Sequence, residues 1–441
     1  MEGWLEQAFI VMAIPLLGAV IGTFFWSKPQ AFKIWGLLVV ITTWLAVAVH
    51  PSMSDAPSSI SIFLIHMILL AGFLTILGQH PNKEAPISLC LALLFTGLGI
   101  GFLLSEGHAG SIMLGAILGL LIVSLVRHRR LDRDIHWSAM SLLALGILSL
   151  ILSMVYSGPY RIFMLLLPLV LVWPLWPLQA AFVSSVSCLP GMLPAFLAVL
   201  LPSVGFYGFT HLLPVLPAAA FDFLWVFAIA SALYGSLLAL SQDSVDTLLA
   251  YAHSALGAIL WWYVAVTQSV GPGTLSYLTG LNLVICGLLL ASLYIRLRFG
   301  SLDLQGSHGL AHTMPTLATL FVLFITAALG LPVITLLSAF MKMMLDIPSS
   351  HTGSLVLVLL SWLLASWYFP RLMQQVLFGP VSPQCQAGGD LHVQERLSLI
   401  LLLVVLVALG MAPFHWFGVV DSTVHAWHYS FEIAQDGRWT V

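Results

Sequence analysis

The sequence predicts an all-α polytopic membrane protein of about fourteen transmembrane helices. Two observations predict it. Of 441 residues, 60% are hydrophobic and only 7% charged, with a mean hydropathy of +1.05. No soluble domain can hide that much apolar surface, so the solvent is lipid. Apolar runs of about twenty residues, each enough to span a bilayer, also recur almost without pause.

In chain order these runs fall near 7–26, 32–50, 59–78, 86–104, 109–126, 137–157, 162–182, 191–212, 219–240, 247–267, 274–297, 314–346, 354–378 and 396–417. The first follows acidic Glu2 and Glu6, whereas a cleavable signal peptide prefers a basic start and a shorter core, so it is expected to be the first membrane helix. The twelfth is too long for one straight span and carries Gly330, Pro332 and Lys342, so it is expected to be broken. Broken helices at membrane depth are tolerated where they line a protein-buried or wet cavity. Polar stretches are confined to about 298–313, 380–396 and the tail after 418, which leaves no room for a soluble domain.

Charge gives orientation. Lys28 and Lys33 lie between the first two helices, Lys83 after the third, Arg127, Arg129, Arg130 and Arg133 after the fifth, and Arg296 and Arg298 at the end of the eleventh. The loops after the second and fourth helices hold Asp55 and Glu106 and no basic residue. The positive-inside rule then puts both termini outside the cytoplasm, in keeping with an even number of crossings. Fourteen Lys and Arg against seventeen Asp and Glu leave a near-neutral chain, so nucleic acid is not an expected partner. Cys90, Cys188, Cys286 and Cys385 are scattered without CxxC spacing or a Cys/His cluster, so neither a metal nor a haem centre is expected.

The most informative polar segment is 234–257, YGSLLALSQDSVDTLLAYAHSALG, where two apolar helices meet at Gln242, Asp243, Ser244 and Asp246, the second beginning at Thr247. Ser and Asp at a helix start accept hydrogen bonds from unpaired backbone N–H groups and complement the dipole. The Tyr-Gly, Ala-Leu-x-Gln and Leu-Leu-Ala-Tyr pattern also resembles a helix pair of the proton-conducting, antiporter-like membrane subunits of complex I and Mrp-type antiporters. Four further stretches resemble the same family in the same order: LLPSVGFYG (200–208), DLQGSHGLAHTMP (303–315) leading to Gly330-Leu331-Pro332, YFPRLMQQVLFGP (368–380), and Glu395 to Pro413. The chain is identified as a divergent member, of the subunit M type of NADH-quinone oxidoreductases.

The resemblance implies two inverted five-helix repeats, each with a broken helix, and a division into N-terminal transmembrane helices (1–85), an antiporter-like core (86–395), and a C-terminal helix with a short tail (396–441). It also implies a polar axis at mid-membrane, since a proton path through lipid needs titratable groups whose affinity responds to a neighbouring charge. Most of the family's groups are replaced. Its fifth-helix glutamate falls near Leu114 or Gly115, its lysines on Ser203 and near Cys286, its Lys-Arg pair on Asp246 and Thr247, and its His/Asp turn on Trp176, Ala180 and Phe182.

The candidate proton-path residues are Lys342, His253, Ser203, Tyr207, Tyr251 and Asn282. His253 lies about two turns into the helix after the SQDSVD loop, and Lys342 about one turn past the family's terminal Lys or Glu position, nearer Ala339. Against this, a lone membrane His is often hydrogen-bonded to backbone, and Lys342 has Asp346 at i+4 with which to snorkel toward an interface. His66 and His211 have structural readings of the same kind, and Arg371 reads as an anchor at the cytoplasmic face.

The resemblance implies an integral subunit of a multisubunit complex in the bacterial cytoplasmic membrane, with other membrane subunits and the lipid bilayer as partners. No cofactor is expected in this chain, and no catalytic centre; redox chemistry would belong to partners. The alternatives are a degenerate non-conducting structural subunit, the membrane subunit of a DAB-type inorganic-carbon transporter or Mrp-type cation/proton antiporter, and an independent secondary transporter, which lacks a visible binding site.

Overall fold

A computed structural model describes residues 2–49, 59–82, 84–105, 107–128, 133–156, 159–300, 309–330, 335–378 and 389–411. Asp55, Lys83, Glu106, Arg129, Arg130, Leu331, Pro332, Cys385, Pro413 and the tail lie outside them, as does the Arg133 side chain. The described residues are almost wholly helical. In lipid every backbone N–H and C=O must be satisfied within the chain, and a helix does this segment by segment.

The first half comprises α1 (Glu2–Gly22), α2 (Pro29–Val49), α3 (Ser59–Gly78), α4 (Ala85–Leu104), α5 (Gly107–Arg127), α6 (Arg133–Val155), α7 (Pro159–Val172), α8 (Ala180–Cys188) and α9 (Leu193–Leu212). The second comprises α10 (Ala218–Ser241), α11 (Val245–Thr267), α12 (Pro272–Phe299), the short α13 (Leu310–Thr313), α14 (Pro315–Leu329), α15 (Thr335–Leu345), α16 (Thr352–Leu377) and α17 (Val393–Met411). Among the described residues, eleven helices are long and apolar enough to cross a membrane, and shorter apolar helices cover Phe9–Phe25, Tyr160–Val172, Pro315–Leu329 and Thr335–Leu345.

Two of these pieces arise from interruptions. The apolar run 162–182 is not one helix: α7 stops at Val172 and α8 resumes at Ala180. Pro174 and Pro177 lie between, and each lacks the N–H that would carry the helix through. The expected break in 314–346 is present as well. There α14 ends at Leu329 on Gly330, whose φ of +100° suits only glycine, and α15 begins at Thr335.

The pillar of the fold is α12. It packs against α3, α9, α11, α14, α15 and α17, and is buried from Pro272 to Ile295. Small residues allow the close approach that packing in lipid requires. A Cβ placed on Gly280 would stand 3.1 Å from the Leu336 backbone N, so α12 meets α15 almost backbone to backbone just after the second interruption. The outer helices present apolar side chains outward: Leu38 and Leu45 on α2, Leu145 and Ile151 on α6, Leu363 and Trp367 on α16. Such a surface is stable only against lipid or partner subunits.

Charge is gathered at one end of the bundle. There Arg296 on α12 pairs with Asp246 on α11, Arg298 pairs with Glu395 on α17, Lys33 Nζ donates to Gln394 Oε1 at 2.6 Å, and Arg371 donates to the Leu240 carbonyl at the end of α10. The structure corrects the expected helix start in this region. α11 begins at Val245 rather than Thr247, with Ser244 at its N-cap making no side-chain capping bond. The Asp246 carboxylate instead takes Arg296 and the Ser292 hydroxyl. A cation and a hydroxyl from a neighbouring helix outcompete the local N–H groups, because an unpaired Arg at this depth is the costlier state.

A carboxylate does cap α14. Asp390 accepts from the N–H groups of Thr316 (2.9 Å), Leu317 (3.4 Å) and Leu391 (2.8 Å). Burial pushes this carboxyl up, but the bonds from Thr316, Leu391 and Leu317 outweigh it and hold the group below its ordinary value of 3.8. A depressed folded-state pKa gives stability that is complete above the unfolded value and lost as pH falls through the folded one. Asp390→Ala is therefore expected to lower stability by about 1 kcal/mol at pH 7. Thermal unfolding in detergent should show the gap between variant and parent closing below pH 4.

Candidate functional site

A cluster of buried polar side chains lies at mid-depth, where α9, α11 and α12 meet. His253 stands about two turns into α11, Ser203 halfway along α9, and Asn282 ten residues into α12, about 15 Å from its start at 1.5 Å per residue. All three are buried. His253 Nε2 lies 3.0 Å from Asn282 Oδ1, and Asn282 Nδ2 donates at 3.4 Å to both Ser203 Oγ and the Val199 carbonyl. With the amide nitrogen turned toward α9, its oxygen can only accept, so Nε2 of His253 carries the ring proton. The lone pair is then on Nδ1.

That Nδ1 is buried with no hydrogen-bond partner among the described residues. Phe182 of α8 meets the ring edge-on at 5.2 Å, and Ser184 Oγ on the same helix is likewise buried and unpartnered. Next to His253 in sequence, Ser254 donates to Gln179 Oε1 at 3.5 Å, which ties α11 to the residue just before α8. A neutral imidazole with a satisfied Nε2–H and an open Nδ1 can take up a proton at one nitrogen and yield it at the other. Hydrogen bonds through Asn282 thus tie one titratable ring of α11 to α12 and α9.

Of the six residues expected on a proton path, His253, Asn282 and Ser203 come together here. Tyr207 lies one turn past Ser203, packed edge-on against Phe102 at 6.0 Å and His211 at 4.5 Å. Tyr251 is half-buried two residues before His253, on a different face of α11. Lys342 lies apart. Its half-buried stem runs beside Gly273, where a Cβ would stand 3.6 Å from Lys342 Cδ, and Gly273 precedes Asn282 by nine residues or about 13 Å of helix. One turn on, Asp346 accepts from Tyr263 at 3.3 Å. His66 bonds its own helix through the Ile62 carbonyl at 2.8 Å.

Gln179 and Ser254 were not legible as site residues. The signal was present: Gln179 is the sole amide in the proline-rich WPLWPLQAAF segment, which reads as a lost motif when only charged groups are sought.

The fold resembles proteins of known type. A family model described as NADH:quinone oxidoreductase/Mrp antiporter, TM, matches residues 159–366, which contain both helix interruptions and the whole His253 cluster. Residues 159–366 thus resemble the antiporter-like membrane family. The chain is 28% identical over 245 residues to NADH-quinone oxidoreductase subunit M of Rickettsia bellii, covering 54% of this chain and 48% of that protein. The chain thus spans about half the length of the curated relatives it matches. Among solved structures, a chain of respiratory complex I from Thermus thermophilus with bound NADH superposes with a TM-score of 0.78 at 20% identity, covering 93% of this chain and 98% of that one. A chain of the Mrp complex from Dietzia sp. gives 0.80 at 14% identity, over 95% of this chain and 52% of that one. The antiporter-like fold thus extends well beyond the matched segment, and the protein is an integral membrane protein.

Proposed function

We propose that this chain is an antiporter-like subunit of a multisubunit energy-coupled membrane complex, of the NADH-quinone oxidoreductase subunit M type, and that it contributes to proton translocation. The observation that carries this reading is the buried His253 ring at mid-depth, tied through Asn282 to Ser203, with Nδ1 open. A titratable group in a membrane interior is costly, and its retention argues for use. The relatives' names supply the type of complex, and other membrane subunits would be its partners, carrying any redox centres.

In the same reading the chain crosses the bilayer of a bacterial cytoplasmic membrane fourteen times, with α7–α8 and α14–α15 each counted as one interrupted crossing. The two interruptions would be the equivalent elements of inverted repeats within an antiporter-like core at 86–395, flanked by the N-terminal helices and by α17 with its tail. The end that gathers Lys33, Arg296, Arg298 and Arg371 would face the cytoplasm, with both termini outside.

A second reading, a non-conducting subunit that holds a complex together, is favoured by the apolar or neutral residues at Leu114, Ser203 and Cys286, where the resembled family carries charge. Proton flux in vesicles bearing the assembled complex separates the two. His253→Ala is expected to collapse flux while leaving assembly intact, whereas Lys342→Ala, remote from the cluster, is expected to reduce it less. Unchanged flux in His253→Ala, with the complex intact, would establish the structural reading instead.

A further inference from the structure

A cavity of about 510 Å³ opens between the ends of α4, α5, α7 and α9, away from the His253 cluster, within the size range of small-molecule pockets. Its lining is mixed. Arg161, Ser105, Ser111, His211 and Leu165 are half-buried, and Leu169, Leu114 and Tyr207 are buried. Arg161, Leu165 and Leu169 follow one another at i, i+4 and i+8 and so form one stripe of α7, about 12 Å long, with the cation at one end. Phe163 and Tyr160 beside this stripe are exposed, and so is Ile112 on α5, which sets the mouth on the outward apolar surface.

Arg161 is the odd residue. Its Nε is buried and unpartnered, and no acidic side chain pairs with it among the described residues. Arginine at a membrane boundary normally pairs or reaches water, and its planar fork matches phosphate oxygens. A cation at the boundary end of an apolar slot is complementary to one kind of molecule: an amphiphile with an anionic head and a hydrocarbon tail. We propose that this cavity is a binding site for an anionic phospholipid of the surrounding bilayer, its phosphate on Arg161 and one acyl chain along Leu165 and Leu169. Such a lipid would satisfy the guanidinium and lay its chain along the apolar stripe of α7.

The test uses the purified full chain in detergent, titrated with phosphatidylglycerol or phosphatidylcholine and read by native mass spectrometry. One phosphatidylglycerol per chain is expected to be held in preference to phosphatidylcholine. Arg161→Gln should weaken phosphatidylglycerol about tenfold and leave phosphatidylcholine unchanged, while Arg161→Lys keeps most of the preference. Leu165→Trp, which fills the slot and leaves the cation in place, should weaken binding too, with unchanged melting in phosphatidylcholine alone showing that it folds. Equal binding of both lipids by the parent, or of phosphatidylglycerol by parent and Arg161→Gln, would overturn the proposal. So would oleate competing as well as phosphatidylglycerol, which would assign the site to free carboxylates.

Discussion

Glu395→Ala is expected to destabilise the chain by about 3–5 kcal/mol, the range for removing one partner of a buried ion pair. Glu395 is 2% exposed at the start of α17. It takes the Arg298 guanidinium of α12 at 2.5 Å, a second bond from the same group at 3.4 Å, and the His392 backbone N–H at 2.9 Å. The neighbouring His80 imidazole is held below its ordinary value, chiefly by burial, against the opposing pull of Glu395. It is therefore largely neutral at pH 7, and Arg298 is the charge that Glu395 answers. Removing the carboxylate leaves that largely enclosed arginine with backbone carbonyls but without its counter-charge. Thermal unfolding in detergent should show the loss, and Glu395→Ala combined with Arg298→Met should recover much of it, since the double change removes both charges. A double variant no more stable than Glu395→Ala would show that packing, and not the stranded charge, sets the effect.

Gly205→Ala is expected to cost about 2–3 kcal/mol through overpacking, with Gly205→Val costing more. An added Cβ would stand 2.5 Å from Trp173 Cβ and 3.1 Å from the Trp173 backbone N. The obstruction is the root of a side chain rather than its flexible tip. Trp173 is itself fixed: it stacks on Trp261 at 4.1 Å, and its carbonyl accepts from Trp261 Nε1 at 3.2 Å. The strain would fall on the α7–α8 interruption, next to the His253 cluster. In the assembled complex Gly205→Ala should therefore lower both melting temperature and proton flux, whereas a distant overpacking such as Gly287→Ala against Phe324 should lower the melting temperature alone.

The helices and the second interruption were legible in the sequence because lipid imposes a length and a polarity on every segment, and Gly330 with Pro332 marks a stop in a run too long for one span. The first interruption was implied only by the resemblance, not by hydropathy. Pro174 and Pro177 lie among Leu, Val and Trp, so hydropathy passes straight through them. At the candidate site His253, Asn282 and Ser203 could each be singled out as polar groups in apolar helices, but nothing in a linear sequence says that three helices bring them within hydrogen-bond reach. The Glu395–Arg298 pair was hidden for the same reason: the partners are 97 residues apart. Asp246 looked like a helix cap because its nearest N–H groups are local, while Arg296, its actual partner, reaches it from α12.

The burial of α12 bears on how the protein is made. Its spanning segment ends fully enclosed by protein, yet it is apolar enough to cross a membrane alone. Nothing in the finished molecule asks for that hydrophobicity where polar packing would serve. Biosynthesis does, because α12 leaves the ribosome before α14, α15 and α17 exist to cover it, and it must partition into lipid on its own merits. The preceding α11 carries Asp246 and His253, whose exposure to hydrocarbon would be costly. Only four residues, Gln268 to Gly271, separate the two helices, and α12 supplies the partners of both polar groups, Arg296 and Asn282. The two helices are therefore suited to integrate as a hairpin, the apolar member carrying in the polar one.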